Sequence, residues 1–298
     1  MKLAAKMLIL FVFISIASAS DFAHATETGG SIYPNGNENF MSGAMPPPGV
    51  YSLLYAEYFS ADILRDKDGN KVPVDFNLKV HALSPRFVWV TDHTLFGGQL
   101  ALHTIIPLLD IDVQVGAGRD TETGLGDIVI GPALGYHVSD KLHYVLAIDI
   151  NMPTGSYDKT AMANTSRNYW NIEPVVAITY VQLKGVNADL KVMYDFNFEN
   201  DDTDYTSGQE LHADYALGWG FGNGWVAGIG GYVYQQITDD TQNGNDVADN
   251  KGRAMAMGPS VKYDNGKGFF ITLKWQEEAG VLNRAEGHSL KLKMTLPI

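Results

Sequence analysis

The chain has no cysteine, few basic residues and, after its amino terminus, no long hydrophobic run. The absence of cysteine excludes disulfides, so hydrogen bonds and apolar packing must hold the fold. A transmembrane helix needs roughly 18 or more consecutive apolar residues, and no segment beyond the amino terminus provides them. The 21 lysines and arginines face 34 aspartates and glutamates, giving a formal net charge of −13. This acidity argues against nucleic acid or an anionic lipid surface as a partner.

The first residues have the pattern of a secretory signal. A basic start at Lys2 and Lys6 precedes an apolar run, and small residues follow at Ala19 and again at Ala25. The apolar run is too short for a membrane-spanning helix. We therefore predict a signal peptide over residues 1–25, with Ala25 favoured over Ala19 as the cleavage point. Its removal changes the net charge from −13 to −14, because two lysines and one aspartate are lost.

From about residue 50 onwards, apolar and polar residues alternate in many short stretches. Between Val186 and Phe198 the even-numbered positions are apolar or aromatic, whereas the odd-numbered ones are polar except for Met193. Such alternation predicts a strand with one face towards lipid and the other towards an aqueous lumen. A slip of one residue would place the polar row in lipid, so the register is strongly specified.

The connections between these stretches alternate between short and long. Short turns are predicted at Asp92-His93, Ser139-Asp140-Lys141, Lys184-Gly185, Gly222-Asn223-Gly224 and Asn265-Gly266. Longer polar stretches, predicted to be outer loops, are Arg65 to Val74, Gly116 to Gly124, Thr154 to Arg167, Glu199 to Gly208, Asp239 to Gly252 and Ala279 to Gly287. Short turns on one side and long loops on the other predict an all-β fold, an antiparallel up-and-down transmembrane β-barrel of about 12 strands over residues 49–298. A soluble β-sandwich has no reason to alternate loop length so regularly.

Before Gly116 the alternation is less regular. Its parity changes near Pro85 and again near Pro107. Proline cannot donate to a strand ladder, so both positions are predicted to be bulges or kinks.

The polar positions of the alternating stretches predict which side chains line the lumen. Asp195 is expected opposite Glu210 or His212, and Lys191 near Asp214. Glu210, His212 and Asp214 share a strand face and offer metal ligands, but a hydrated, ion-paired lumen is favoured, and no metal or cofactor is predicted. The predicted lumen-lining residues are Lys79, His81, His103, Asp110, Asp112, Asp127, His143, Asp149, Glu173, Asp189, Lys191, Asp195, Glu210, His212, Asp214, Lys274, Lys291 and Lys293.

Residues 26–48 show no periodicity and end in three consecutive prolines. Two interpretations remain open. The apolar side chains in this segment favour a small plug at the periplasmic mouth of the lumen. Alternatively, its Gly, Asn and Pro content is typical of a flexible tail with a stiff proline spacer.

Several short motifs follow the export signal: Pro46-Pro47-Pro48-Gly49-Val50-Tyr51, Gly124-Leu125-Gly126-Asp127-Ile128, Pro153-Thr154-Gly155-Ser156-Tyr157-Asp158, and Asn168-Tyr169-Trp170 leading to Pro174. Over nearly the whole mature chain they resemble the outer-membrane proteins of the MetA-pathway of phenol degradation family, also called SphA-like. The resemblance implies a barrel that passes hydrophobic or aromatic compounds, and it offers no established catalytic residues to carry over.

We therefore expect a channel or transporter for small hydrophobic or aromatic compounds in the cell outer membrane. Its expected partners are that solute, outer-membrane lipid and the barrel-assembly machinery. A structural or adhesive barrel is the main alternative. A lipid hydrolase is less favoured: His137 and Ser139 share a strand face, but they adjoin a predicted periplasmic turn, far from outer-leaflet lipid.

Overall fold

The structure is a computed structural model that describes residues 30–296. The predicted signal peptide and the last two residues lie outside the described part of the chain. The strands are β1 (Gly49–Leu64), β2 (Phe76–Leu95), β3 (Gly98–Ile105), β4 (Leu108–Val115), β5 (Gly118–Leu125), β6 (Ile128–His137), β7 (Leu142–Met152), β8 (Asn171–Tyr180), β9 (Lys184–Asn197), β10 (Glu199–Asn200), β11 (Tyr205–Thr206), β12 (Glu210–Phe221), β13 (Trp225–Gln236), β14 (Asp240–Gln242), β15 (Asn245–Val247), β16 (Arg253–Asp264), β17 (Phe270–Leu282) and β18 (Ala285–Leu296). Within residues 30–296 there is no helix long and apolar enough to cross a membrane.

Twelve strands close into an antiparallel barrel, which confirms the predicted fold. Their circular order is β1, β18, β17, β16, β13, β12, β9, β8, β7, β6, β3 and β2, and β2 pairs with β1 to complete the ring. Closure gives the backbone N–H and C=O groups of the wall a neighbouring strand, which is what the hydrocarbon region of a membrane requires.

The wall has an apolar outside and a polar inside. In β9, Leu190 is 41% exposed on the outer face, whereas Met193 is 0% exposed on the inner face. The same outer face carries large exposed apolar side chains all round the barrel, among them Leu102, Ile130, Ile148, Val176, Phe196, Leu217, Ile229, Val233, Met257, Leu273 and Leu290. A belt of this kind is the lipid-facing surface of an outer-membrane barrel.

Two of the predicted short turns are displaced. The prediction at Asp92-His93 is wrong, because the ladder of β2 and β3 is irregular there and resumes at Thr94. The turn lies instead at Phe96 and Gly97, whose φ angles of 51° and 79° belong to a type I′ hairpin. Lys184 is the first residue of β9, so that turn lies two residues earlier than predicted.

Two of the predicted long loops are hairpins. The range 116–124 consists of a tight turn and most of β5, while 279–287 holds the ends of β17 and β18 around a turn at Asn283. β5 is polar on both faces, so its sequence resembles that of a loop. Two other predicted loops, 199–208 and 239–252, contribute β10, β11, β14 and β15 to a separate four-stranded sheet.

The prolines mark the place where β2 changes partner. Where a bulge or kink is predicted at Pro107, the structure has a two-residue break that separates β3 from β4. Pro85 forms no bulge with β1, since Leu54 pairs with it in an unbroken register. On its other side β2 pairs with β4 before Pro85 and with β3 after it. Pro85 has no N–H group to donate, and this is tolerated where β2 changes from β4 to β3.

Beyond this break, the outer half of β2 continues with β4 and β5 as an outer extension of the wall. Here Lys79 pairs with Asp112, and His81 pairs with Asp110. The prediction that these four residues line the lumen is wrong, because their side chains lie on the outer surface of the wall. Asp112, for example, forms an ion pair with exposed Arg119 at 2.7 Å. The outward face of the extension carries these charged residues, so polar side chains point outwards there, the reverse of the pattern in lipid-facing strands.

Candidate functional site

Residues 30–48, here called the luminal segment, run through the inside of the barrel. At the loop end, Arg167 Nη2 donates to Ser31 O at 3.3 Å. At the turn end, Met45 packs against Val90 and Ala133 of the inner wall. Because short turns mark the periplasmic side, the segment spans the lumen from its extracellular end to its periplasmic end.

Asp214 on β12 is the main acceptor for this segment. Its carboxylate accepts hydrogen bonds from Tyr33 Oη at 2.6 Å, from Gly36 N at 2.8 Å and from Glu38 N at 2.8 Å. Hydrogen bonds to an ionised acceptor are stronger than neutral ones. One wall carboxylate therefore fixes three residues of the segment.

Glu38 is the corresponding charged group on the segment itself. Its carboxylate accepts hydrogen bonds from Lys293 Nζ at 2.8 Å and from Tyr55 Oη at 2.8 Å, and it lies 3.4 Å from Arg86 Nη1. Lys274 Nζ donates to the Glu38 carbonyl oxygen at 2.7 Å. A buried carboxylate needs such partners to offset its loss of hydration.

The lower part of the segment adds smaller contacts. Ser42 N donates to Asp189 Oδ1 at 2.9 Å, and Gly43 N donates to Thr179 Oγ1 at 2.8 Å. Phe40 is 0% exposed in a small apolar cluster with Ala216. The middle of the lumen is thus filled by the segment.

Most predicted lumen residues face this interior. The ones that lie buried inside the wall are His103, Asp149, Glu173, Asp189, Lys191, Asp195, Glu210, His212, Asp214, Lys274, Lys291 and Lys293. The acidic residues lie on β7, β8, β9 and β12, whereas Lys274, Lys291 and Lys293 lie on β17 and β18. The predicted neighbours also meet, since Asp195 pairs with Glu210, and Lys191 pairs with Asp214.

Two other predicted residues lie at the ends of the barrel. Asp127 is not part of the lumen lining, because its carboxylate accepts from Thr154 N and Arg167 N at the base of an outer loop. His143 lies at the periplasmic rim, where its Nδ1 is 2.7 Å from His137 Nδ1. Nearby, Ser139 Oγ caps its own turn by accepting from Leu142 N at 3.1 Å. This arrangement does not support Ser139 as an activated nucleophile.

Several inward-facing residues escaped prediction. Glu38 lies in a segment without periodicity, and Arg86 follows the proline at which a change of parity was assumed. Tyr55 is on β1, whose inner face mixes aromatic and charged residues. Lys262 could have been predicted to face inwards, because Val261 and Tyr263 flank it in an alternating stretch of the sequence. In the structure it is buried inside the wall.

The outer extension has an apolar inner face. Ala61, Leu64, Phe76, Val113 and Ala163 form its buried part, here called the outer apolar cluster. The partly buried residues packed against this cluster are Phe59, Val72, Val74, Leu78, Ile111, Val115 and Ala285. The polarity of the extension is therefore opposite to that of the membrane belt, with charge outside and apolar side chains inside.

One outer loop covers this cluster. Residues 153–170 join β7 to β8 and contribute Ala163 to the cluster. Asp120 on β5 accepts hydrogen bonds from Met162 N at 2.9 Å and from Ala163 N at 3.1 Å. Backbone N–H groups, that of Ala163 first, hold the pKa of Asp120 below its usual range. The covering loop is thus fixed by side-chain acceptors rather than by a strand ladder.

Comparison with known proteins identifies a matching family, and one solved channel supports the same fold. A family described as "Putative MetA-pathway of phenol degradation" matches residues 61–294. The crystal structure of the COG4313 outer membrane channel from Pseudomonas putida F1 superposes with a TM-score of 0.74 at 17% identity, covering 87% of this chain and 98% of that one. The toluene transporter TodX from Pseudomonas putida gives a TM-score of 0.44 at 8% identity, covering 91% and 97% of the two chains. No curated protein matches the chain.

Proposed function

Because the chain belongs to the family of the Putative MetA-pathway of phenol degradation, we propose that it is an outer-membrane channel for small hydrophobic or aromatic compounds. The observation that carries this proposal is the outer apolar cluster. It places apolar side chains on the inner face of the wall, beneath the loop 153–170, at the end from which external solutes arrive. A water-filled pore for polar solutes gains nothing from such a surface, whereas an apolar solute is stabilised by roughly 25 cal/mol for each Å² that it buries.

The luminal segment acts as the plug of this channel. Its hydrogen bonds to Asp214 on the wall, and that of Lys293 on the wall to its own Glu38, hold it in the middle of the barrel, beneath the outer apolar cluster. Solute that collects in the outer extension passes when the segment shifts. Bulk flow of ions is restricted while the segment is seated.

The chain is exported and divided as its sequence predicts. We assign residues 1–25 to a signal peptide, 26–48 to an N-terminal segment that includes the luminal segment, and 49–298 to the barrel. Outer-membrane lipid surrounds the apolar belt, and the barrel-assembly machinery inserts the protein. These assignments are part of the proposal.

Uptake assays test the proposal. Cells that carry the protein should accumulate radiolabelled toluene or phenol faster than cells without it, whereas liposomes that contain it should remain nearly impermeable to sugars. Leu78→Asp places a charge beside the outer apolar cluster and should slow aromatic uptake severalfold. Lys79→Asp is the matched control on the outer surface and should have little effect.

Equal rates of aromatic uptake with and without the protein would contradict the proposal and would favour a structural or adhesive barrel. Equal effects of Leu78→Asp and Lys79→Asp would show that the apolar inner face does not select the solute.

A further inference from the structure

A cluster of metal-ligating side chains lies inside the wall, next to the luminal segment. Asp195 on β9 and Glu210 and His212 on β12 each place one ligand atom within 4.8 Å of the others. His212 Nε2 is 2.5 Å from Asp195 Oδ2 and 3.1 Å from Glu210 Oε2. All three side chains are 0% exposed. The cross-strand pairing of Asp195 with Glu210 brings them together.

The hydrogen bonds of His212 decide which of its nitrogens faces the carboxylates. Asn35 Nδ2 donates to Ser31 Oγ at 2.9 Å, which leaves Asn35 Oδ1 as an acceptor. This oxygen lies 2.5 Å from His212 Nδ1, so Nδ1 carries a hydrogen. In a neutral imidazole the lone pair is then on Nε2, and it faces two carboxylates. That contact is repulsive unless a cation, either a proton or a metal ion, lies between these atoms.

The outer atoms of the three ligands also have partners. Asn171 Nδ2 donates to Asp195 Oδ1 at 3.0 Å, and Tyr234 Oη donates to Glu210 Oε1 at 3.3 Å. Asp195 Oδ2, by contrast, is buried and accepts no hydrogen bond of ordinary geometry. Each ligand is therefore oriented through one atom, and its other polar atom is directed to a common point. Metal-binding histidines and carboxylates are oriented by second partners in this way.

Charge balance favours a metal ion over a proton as the cation between these atoms. A protonated His212 offsets one of the two adjacent carboxylates directly, while Arg284, the other cation that acts on Glu210, lies over the Tyr234 ring rather than between the carboxylates. Two buried carboxylates with one proton between them are costly. A divalent ion bound to neutral His212 offsets both. One imidazole nitrogen and two carboxylate oxygens form a donor set that suits Zn²⁺, with one coordination position left for water.

We propose that Asp195, Glu210 and His212 bind one Zn²⁺ ion inside the barrel. The alternative set with Asp214 does not assemble, because Asp214 binds the luminal segment. The metal fixes the His212 tautomer that donates to Asn35, so it also strengthens the hold of the wall on this segment. Since the site is closed to solvent, the ion enters before the segment is seated.

Elemental analysis of the full-length protein tests this site. The barrel is refolded in detergent with Zn²⁺, dialysed against a metal-chelating resin, and checked for folding by its anomalous gel mobility when unboiled. The wild type should retain about one zinc per chain. His212→Gln and Asp195→Asn should each lower the zinc content at least tenfold.

Two histidine variants serve as controls. His103→Gln alters another buried histidine, which lies 2.9 Å from a single carboxylate, that of Asp149. His143→Gln removes the exposed pair with His137 at the rim. Both variants should retain zinc at the wild-type level.

Folded wild-type protein without zinc would overturn the proposal and would leave a protonated His212 as the cation. Zinc that is retained by His212→Gln but lost from His143→Gln would assign the metal to the rim and would also overturn it. If His212→Gln does not fold, Asp195→Asn and the absorption bands of Co²⁺ in the wild type decide the question.

Discussion

Asp214 holds the luminal segment through more hydrogen bonds than any other wall carboxylate in the described residues. Asp214→Ala removes all three of them. One hydrogen bond to a charged group is worth about 1.5 to 3 kcal/mol, and about 1.4 kcal/mol changes an equilibrium constant tenfold. We expect open-channel events in planar bilayers to become at least tenfold more frequent. Asp110→Ala, on the outer surface, is the control, and equal behaviour of the two variants would argue against a plug held by Asp214.

A substitution at Gly36 tests whether steric fit keeps the luminal segment in its position. Its φ angle is +72°, and a Cβ atom there would lie 2.4 Å from Gln276 Nε2 and 2.8 Å from the Tyr232 ring. Gly36→Ala should therefore unseat the segment and raise conductance severalfold. Gly244→Ala shares the left-handed backbone, with a φ of +74°, but has no atom within 4 Å of its Cβ position. If both variants conduct like the wild type, steric fit does not hold the segment in the lumen.

Among the strands, those of the outer extension have polar side chains on the outer face and apolar side chains on the inner face, which is the reverse of the membrane belt. Because the chain has no cysteine, single-cysteine variants report exposure without a background signal. Asp112→Cys should react rapidly with a membrane-impermeant maleimide on intact cells, while Val113→Cys, in the outer apolar cluster, should react at least tenfold more slowly. The opposite order would mean that the two faces of β4 are assigned wrongly.

The same strands show what the sequence could and could not predict. β9 was predictable because each of its faces has one environment along most of its length. The inner and outer faces of β2 were not predictable, because alternation shows which residues are polar but not whether they lie at the level of the lipid or above it. β5 was taken for a loop because it is polar on both faces. The luminal segment has no period at all, so its contacts with Asp214 depend on tertiary structure alone.

In the whole molecule, we expect lipid around the middle of the barrel and water around the outer extension. Leu190→Arg and His81→Arg both place a cation on the outer face, at these two heights. Leu190→Arg should cost roughly 2 to 4 kcal/mol near the membrane midplane, and His81→Arg close to nothing. Urea titration of the protein in lipid vesicles measures both changes. Equal costs would mean that the extension is not above the membrane.

We expect small apolar solutes to cross the barrel when the luminal segment moves. Ser260 Oγ donates to Asn39 Oδ1 at 2.8 Å, which places a residue of the segment beside one of β16. In a protein without other cysteines, Asn39→Cys combined with Ser260→Cys should form a disulfide that locks the segment to the wall.

The most direct measurement is the rate of toluene uptake by cells that carry this double variant, before and after reduction. Uptake should fall to the background rate in the oxidised state and recover to the wild-type rate on reduction, with each single variant unaffected. Wild-type uptake by the fully oxidised double variant would rule out passage that depends on the segment, because the solute would then cross without any movement of the segment.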